Sequence, residues 1–173
     1  MNGSITVESV VGQGSTFRFL CQLPGAEMGA PATTVAAGAI PRFEGRVLLA
    51  EDNAVNRQLA ERLLIRLGCT VDSAQNGKEA VAFVLRNSYD LVLMDCQMPE
   101  MDGFEATAAI RDALGPQAPR IVAMTANAMA GDREKCLSAG MCDYLPKPFR
   151  FGDLGALLEK YLPAVVEDQA RIS

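Results

Sequence analysis

Residues 47–53 read VLLAEDN, so a run of four apolar residues leads directly into the adjacent carboxylates of Glu51 and Asp52. An unbroken apolar run of this length indicates a strand that is covered on both faces, as is typical of parallel sheets. Adjacent like charges repel each other, and neither carboxylate has an obvious partner nearby in the sequence. The stretch therefore predicts a buried parallel strand that ends in two acids. The partners of these acids are expected in other parts of the fold.

The segments that follow alternate between strand and helix patterns as far as Pro163. Strands are predicted at 46–50, 69–74, 90–95, 120–125 and 142–146. Helices are predicted from Asn53 to Gly68, over 76–87, from Asp102 to Gly115, over about 131–139, and before Pro163. Five strands alternating with five helices predict a flavodoxin-like doubly wound α/β fold, (βα)5, whose five-stranded parallel sheet has the strand order 2-1-3-4-5.

Two helices carry further local signals. The first is predicted to be capped by Asn53 and to pack against the sheet through one face, formed by Val55, Leu59, Leu63 and Leu67. The third is predicted to begin with a capping box made by Asp102 and Glu105.

The carboxyl ends of the predicted strands carry the polar residues that suggest a function. Glu51 and Asp52 follow the first strand and Asp95 ends the third, and these two strands are neighbours in the predicted order. An all-oxygen cluster without His or Cys ligands suits Mg²⁺ or Mn²⁺. Thr125 ends the fourth strand and Lys147 follows the fifth, which adds a hydroxyl and an ammonium group. Together these groups are the parts needed to transfer and hold a phosphoryl group.

Four motifs at these positions resemble those of response-regulator receiver domains. They are EDN at 51–53, DLVLMDCQMPEMDGFE at 90–105, MTAN at 124–127 and DYLPKPF at 143–149, and the resemblance covers about residues 45–163. It implies a phosphoryl-accepting domain of a two-component phosphorelay, which uses Mg²⁺ and receives the phosphoryl group from a phosphohistidine donor. The donor would be a histidine kinase dimerisation domain or a histidine phosphotransfer protein.

The resemblance also implies a role for each matching residue. Asp95 would be phosphorylated, and the metal would be held by Asp95, Asp52, Glu51 and the backbone carbonyl of Gln97. Lys147 would contact the phosphoryl group, and the Lys147–Pro148 peptide bond would be cis. Thr125 would turn its hydroxyl onto the phosphoryl group, and Tyr144 would change rotamer with it. Glu51 replaces a commoner aspartate, which affects only its expected coordination of the metal.

The segment in front of the receiver-like region has a different residue pattern. Residues 1–23 contain two alternating segments that predict a β-hairpin, and residues 24–44 are predicted to be a linker. The hairpin, with its GQGSTF motif, resembles the final strands of a histidine kinase ATP-binding domain, which suggests a hybrid sensor kinase as the parent protein. No kinase activity is expected from residues 1–173 themselves. Residues 164–173 are predicted to be a tail.

One face of the predicted hairpin is apolar and has no core of its own. Ile5, Val7, Phe17 and Phe19 lie on this face, and an isolated hairpin is only marginally stable in water. We therefore expect the hairpin either to associate with its own receiver or with a second copy of the chain, or to stay disordered.

The composition excludes several classes of function. The formal net charge is −5 and the pI is about 4.8, so binding to nucleic acid through a broad basic surface is not expected. The five cysteines show no zinc-site spacing and suggest reduced thiols, and no uncharged stretch is long enough to cross a membrane. A cytoplasmic location is expected. The chain contains no histidine, so a phosphohistidine has to come from a partner.

Other interpretations of the same residues remain open at this stage. Adjacent acids after a strand also suit the first turn of a helix, and Tyr144 also suits a core aromatic with a solvated hydroxyl. A phosphatase with an aspartyl-phosphate intermediate would place a second acid two residues after its nucleophile, where this chain has Gln97. A flavin-binding module of the same fold would have no use for three acids at the strand ends.

Overall fold

The computed structural model describes residues 3–10, 12, 14–21, 41–126 and 130–165. By the contacts within each part, the chain divides into two units, Met1–Gly38 and Ala39–Ser173.

An antiparallel hairpin makes up the described part of the first unit. Strand β1 (Gly3–Val10) pairs with strand β2 (Gly14–Cys21), so the predicted hairpin is confirmed. The side chains of Ile5, Val7 and Phe17 are 70%, 59% and 62% exposed. The apolar face of the hairpin is therefore uncovered at these three positions.

Much of the predicted linker and tail is not described. The side chain of Phe19, residues 22–40 and residues 166–173 lie outside the described residues. The description resumes at residue 41 with a short strand, β3 (Arg42–Phe43). The sequence patterns did not predict this strand.

Five parallel strands form the sheet of the second unit. They are β4 (Arg46–Ala50), β5 (Thr70–Ala74), β6 (Leu91–Asp95), β7 (Arg120–Thr125) and β8 (Asp143–Pro146). The sheet order is β5-β4-β6-β7-β8, and every neighbouring pair is parallel. Counted along the chain, this is the predicted order 2-1-3-4-5.

A helix follows each of these strands. The helices are α1 (Ala54–Arg66), α2 (Gly77–Arg86), α3 (Gly103–Leu114), α4 (Ala130–Ser138) and α5 (Phe151–Tyr161). The Asn53 side chain accepts hydrogen bonds from the first turn of α1, and Asp102 and Glu105 form a reciprocal capping box on α3. Both predicted helix starts are confirmed, because the capping side chains satisfy backbone N–H groups that have no partner within the helix.

The sheet is buried on both faces by two helical layers. Leu49 and Leu93 belong to a cluster packed by α1 and α5, whereas Leu48 and Val92 belong to a cluster packed by α2, α3 and α4. All four side chains are fully buried. Alternate residues of one strand thus pack against opposite helical layers, which explains why the strand has to be apolar throughout.

The buried face of α1 differs from the prediction. Val55 and Leu59 were expected in the core but are 76% and 55% exposed. Leu67 is buried and Leu63 packs against the core, as predicted, whereas the burial of Ala60 and Leu64 was not predicted. The two apolar stripes of this helix lie less than half a turn apart. The helix is rotated so that the stripe of Ala60, Leu64 and Leu67 packs against the sheet.

A small second sheet joins the two ends of the described receiver-like region. Strand β9 (Ala164–Val165) pairs antiparallel with β3. The Phe43 backbone N–H donates to the Leu67 carbonyl at 2.7 Å, and the Phe43 side chain is 2% exposed within the α1–α5 cluster. Phe43 is therefore a core residue, although it lies in a segment with linker-like composition.

Within the described residues, no helix is long and apolar enough to cross a membrane.

Candidate functional site

Three carboxylates meet at the carboxyl edge of the sheet. Ala50 is in register with Met94, so Glu51 and Asp95 leave neighbouring strands at almost the same level. One carboxylate oxygen from each of Glu51, Asp52 and Asp95 lies within 4.8 Å of the others. Glu51 is 2% exposed and Asp95 is 7% exposed, whereas Asp52 faces solvent. The structure thus brings together the three acids on which the sequence analysis focused.

Lys147 lies between the two buried carboxylates. Its Nζ donates to Glu51 Oε2 at 2.5 Å and to Asp95 Oδ2 at 2.6 Å. Burial is the largest influence and lowers the pKa of Lys147, but the hydrogen bonds and negative charges of Asp95 and Glu51 outweigh it, and the net effect raises the pKa. The ammonium group therefore stays charged and offsets part of the repulsion between the acids.

The loop after β6 fixes the Asp95 side chain from the other side. The Gln97 backbone N–H donates to Asp95 Oδ1 at 3.1 Å, so both oxygens of the Asp95 carboxylate accept a hydrogen bond. A Cβ on Gly103 would lie 2.2 Å from the Asp95 carbonyl oxygen, a distance that real Cβ atoms do not show. The start of α3 therefore packs directly against the backbone of Asp95.

Thr125 and Tyr144 lie on the two strands beyond Asp95. Thr125 ends β7 and is 7% exposed, and Tyr144 is half-buried on β8. The Lys147 backbone N–H donates to the Thr125 carbonyl at 2.7 Å, which ties the lysine segment to the end of β7. The Lys147–Pro148 peptide bond is cis, as predicted.

Two residues of α1 support the acidic turn and were missed by the sequence analysis. Asn56 Nδ2 donates to Glu51 Oε1 at 3.2 Å. Arg57 Nη1 donates to the backbone carbonyls of Glu51 and Asp52 at 2.8 and 3.1 Å. The available signal was the helix start after Asn53, because side chains in the first turn of such a helix lie close to the residues that precede it.

The acids open into a cavity of about 840 Å³. Its lining includes all the predicted site residues except Tyr144, and adds Phe104 of α3 and Lys135 and Cys136 of α4. Nothing in the local sequence of α4 pointed to the cavity, because only the tertiary packing of that helix brings these side chains there.

The donor set at the acids fits a hard divalent cation. It consists of carboxylate oxygens, and no thiol or imidazole belongs to it. Mg²⁺ prefers oxygen ligands, keeps several waters and binds through a few carboxylates together with phosphate oxygens. Two of the three acids are buried and Asp52 is open to solvent, so the cluster combines fixed ligands with access for water.

Comparisons with known proteins agree with this geometry. The family model of the response regulator receiver domain matches residues 47–159. Over 141 residues the chain is 46% identical to hybrid signal transduction histidine kinase B of Dictyostelium discoideum, a match that covers 75% of this chain and 7% of that protein. The chain thus spans a small fraction of the length of this curated relative.

Two solved structures are similar to the same region. One is the receiver domain of a sensor histidine kinase from Pseudomonas aeruginosa, with a magnesium ion coordinated in its active site cleft (TM-score 0.63, 43% identity, 68% of this chain and 97% of that chain). The other is the receiver domain of a Saccharomyces cerevisiae response regulator, crystallised with a histidine phosphotransfer signaling protein (TM-score 0.61, 32% identity, 70% of this chain and 88% of that chain).

Proposed function

The chain belongs to the response regulator receiver domain family, and on that premise we propose that Asp95 is the residue that accepts the phosphoryl group. Residues 47–159 form a receiver domain of phosphorelay signalling, with an acidic pocket suited to an aspartyl phosphate. The position of Asp95 carries the proposal. It ends the central strand β6, both of its oxygens are oriented by hydrogen bonds, and it lines the open cavity beside Glu51 and Asp52.

The surrounding side chains favour transfer from a phosphohistidine to Asp95. A carboxylate oxygen of Asp95 would form a P–O bond while the P–N bond of the donor breaks, and the electron pair of that bond would return to the imidazole nitrogen. Lys147 lies within hydrogen-bonding distance of Asp95, so its charge would offset the charge on the transferring oxygens. The Gln97 N–H holds the other carboxylate oxygen and keeps the nucleophile oriented.

We propose that Mg²⁺ is the cofactor and that Mn²⁺ can replace it. Glu51, Asp52, Asp95 and the backbone carbonyl of Gln97 would hold the ion. The ion would neutralise negative charge on the carboxylates and the phosphoryl group. The support is the all-oxygen donor set of the three acids, together with the magnesium ion in the similar Pseudomonas receiver.

We propose that Thr125 and Tyr144 form the switch that reports phosphorylation to the surface. Thr125 lies at the rim of the cavity and ends the strand that pairs with β8, on which Tyr144 lies. A hydrogen bond from the Thr125 hydroxyl to a phosphoryl oxygen would withdraw that side chain from its present surroundings. Tyr144 packs against the α2–α3–α4 cluster, so its rotamer is sensitive to such a change.

The phosphohistidine donor would dock beside α1. Val55 and Leu59 expose apolar surface on this helix, while its N-cap Asn53 and Asn56 of its first turn line the cavity. A partner that covers the two apolar side chains would lie next to Asp95, and exposed apolar residues near a reaction site commonly mark an interface. A histidine phosphotransfer protein or a histidine kinase dimerisation domain fits this requirement, and the similar yeast receiver was crystallised with a protein of the first kind.

We also propose how the chain divides into domains, a linker and a tail. Residues 1–23 would be the last hairpin of a kinase ATP-binding domain, and residues 24–44 a linker whose last part contains β3 and packs with the receiver. Residues 45–163 would be the receiver and residues 164–173 a tail that begins with β9. The similarity to a hybrid histidine kinase supports such a parent protein. The uncovered apolar face of the hairpin supports its pairing with a further surface, in the same protein or in a second copy.

Replacement of the proposed nucleophile tests this function. The Asp95→Asn variant is expected to lose labelling by a phosphohistidine phosphotransfer protein and by acetyl phosphate, because an amide is not a nucleophile for this transfer. Wild-type protein should be labelled only with Mg²⁺ or Mn²⁺ present. The matched control is Asp112→Asn, since Asp112 is an exposed acid of α3 outside the cavity. Equal labelling of Asp95→Asn and the control under Mg²⁺ would exclude Asp95 as the acceptor.

A further inference from the structure

The cavity beside Asp95 contains a second lysine that has no assigned role. Its lining includes three carboxylates, Glu51, Asp52 and Asp95, and two ammonium groups, those of Lys147 and Lys135. Lys147 is engaged with both buried carboxylates. Lys135 lies on α4 and lines the same cavity.

The backbone of Lys135 is held in place although its side chain is exposed. The next residue, Cys136, is 2% exposed and belongs to the cluster that packs α2, α3 and α4 against the sheet. Cys136 also lines the cavity. A lysine side chain carries its compact charge on a four-carbon stem, so from this position it can reach into the cavity that it lines.

Phosphorylation adds negative charge to the site. A carboxylate carries one negative charge, whereas an acyl phosphate carries close to two at neutral pH. Lys147 offsets charge on Glu51 and Asp95, and the proposed Mg²⁺ would offset more, so a further cation beside the phosphoryl group would add to their effect. Lys135 is the other cationic side chain among the described residues that line the cavity.

We propose that Lys135 is a second phosphate-binding residue of this receiver, which contacts the phosphoryl group on Asp95 and attracts the anionic end of the donor. The inference rests on the proposed role of Asp95. It gives α4 a direct electrostatic link to the phosphoryl group, in addition to the link through Thr125 and Tyr144. It also predicts that the position of α4 relative to Asp95 depends on the charge in the cavity.

A loss of positive charge at Lys135 has opposite effects on a cation and on an anion in the cavity. The Lys135→Gln variant should bind beryllofluoride, an inorganic mimic of the aspartyl phosphate, about threefold to tenfold more weakly in the presence of Mg²⁺. The same variant should bind Mg²⁺ alone slightly more tightly, because a repelling charge is gone. Damage to the fold would weaken both interactions, so the opposite signs separate a charge effect from a structural one.

Calorimetric titrations of the full chain test the proposal with two further variants. Lys135→Arg keeps the charge and should retain beryllofluoride binding close to wild type. Lys78→Gln is the matched control, because Lys78 is an exposed lysine outside the cavity whose loss changes the net charge equally. The difference between Lys135→Gln and Lys78→Gln should shrink as salt is raised, since mobile ions screen partly exposed charges.

The outcomes distinguish this inference from the proposed function. Equal beryllofluoride affinities for Lys135→Gln and Lys78→Gln would overturn the role of Lys135 while leaving Asp95 as the acceptor. Weaker binding of both beryllofluoride and Mg²⁺ by Lys135→Gln would also overturn it, in favour of a structural role. Failure of the wild-type chain to bind beryllofluoride with Mg²⁺ would overturn the proposed function and this inference together.

Discussion

At the scale of single residues, the site combines two buried carboxylates with one shared ammonium group. Glu51 and Asp95 are both buried, and Lys147 is the cation that lies between them. Burial of charged groups is costly unless they are paired and hydrogen-bonded. The lysine is therefore expected to support the folded state as well as the transfer reaction, and the two roles can be separated by measuring stability without a phosphoryl donor.

Loss of Lys147 should destabilise the metal-free protein. In Lys147→Met, two buried carboxylates would lose their shared cation, and we expect the free energy of unfolding to fall by about 3 kcal/mol. Mg²⁺ should recover part of that loss, because the ion neutralises the same carboxylates. Urea unfolding with EDTA and with Mg²⁺ measures both effects.

The control for this prediction is Lys78→Met. The Lys78–Glu100 ion pair is exposed, with 60% and 56% of the two side chains accessible, so its loss should change stability by less than about 1 kcal/mol. Equal stabilities for the two methionine variants without metal would contradict the proposed electrostatic role of Lys147.

At the scale of elements, the site depends on how closely α3 approaches the end of β6. Gly103, the first residue of α3, lies so near the Asp95 carbonyl that no side chain fits between them. The capping box of Asp102 and Glu105 sets the direction of the helix at the same point. The start of α3 and the end of β6 are thus in direct contact, and the orientation of Asp95 depends on this contact.

A methyl group at this contact between α3 and β6 should be strongly destabilising. Gly103→Ala must push α3 away from Asp95, and we expect a loss of about 3 kcal/mol in the free energy of unfolding together with weaker beryllofluoride binding. Gly152→Ala in α5 is the matched control, because a Cβ there meets nothing within 4 Å. It should raise stability by about 0.5 kcal/mol through the better helix propensity of alanine. Similar stabilities for the two alanine variants in chemical unfolding would contradict the close contact between Gly103 and the backbone of Asp95.

The second element-scale prediction concerns the path from Thr125 to β8. Beryllofluoride should shift the amide resonances of α4 and β8 in the wild type, and much less in Thr125→Ala, which lacks the hydroxyl that would contact the phosphoryl group. Nuclear magnetic resonance of labelled protein measures these shifts. Thr70→Ala, at an exposed position of β5, should behave like the wild type. Full-sized shifts in Thr125→Ala would show that the switch does not run through this residue.

At the scale of the whole molecule, the receiver includes residues in front of its first sheet strand. Phe43 is buried against α1 and α5, and β3 pairs with β9 at the other end of the described region. The Glu44 backbone N–H also donates to the Pro163 carbonyl at 3.1 Å. The segments that enter and leave the receiver are therefore held together on the side of the α1–α5 layer.

Truncation should reveal this contribution. A chain that begins at Pro41 should keep the stability of the receiver and its beryllofluoride binding, because the first unit supplies none of the described site residues. A chain that begins at Gly45 should lose about 3–4 kcal/mol of unfolding free energy, since it lacks the Phe43 side chain. Thermal and urea unfolding compare the two chains.

Phe43→Ala in the chain that begins at Pro41 serves as the matched control, and it should reproduce most of the loss seen in the shorter chain. If the chains that begin at Pro41 and Gly45 are equally stable, Phe43 is not a core residue of the receiver.

The sequence by itself determined the sheet and the acids at its edge. Short apolar runs such as LVLM at 91–94 are typical of strands covered on both faces, and their length distinguishes them from the helices. Glu51, Asp52 and Asp95 follow from the same pattern, because parallel strands of a doubly wound sheet end at one edge. Helix caps such as Asn53 could also be predicted from the sequence, since capping depends on neighbouring residues in the chain.

Only the tertiary structure decided the rotation of α1, the burial of Phe43 and the position of Lys135. In α1 two apolar stripes compete, and the shape of the sheet selects Leu64 over Leu59 for the core. Phe43 and Lys135 gain their surroundings from elements far away in the chain, α5 and the strand ends respectively. Short-range patterns record the periodicity of a segment but not which distant surface it meets, and that choice is made by packing the whole chain.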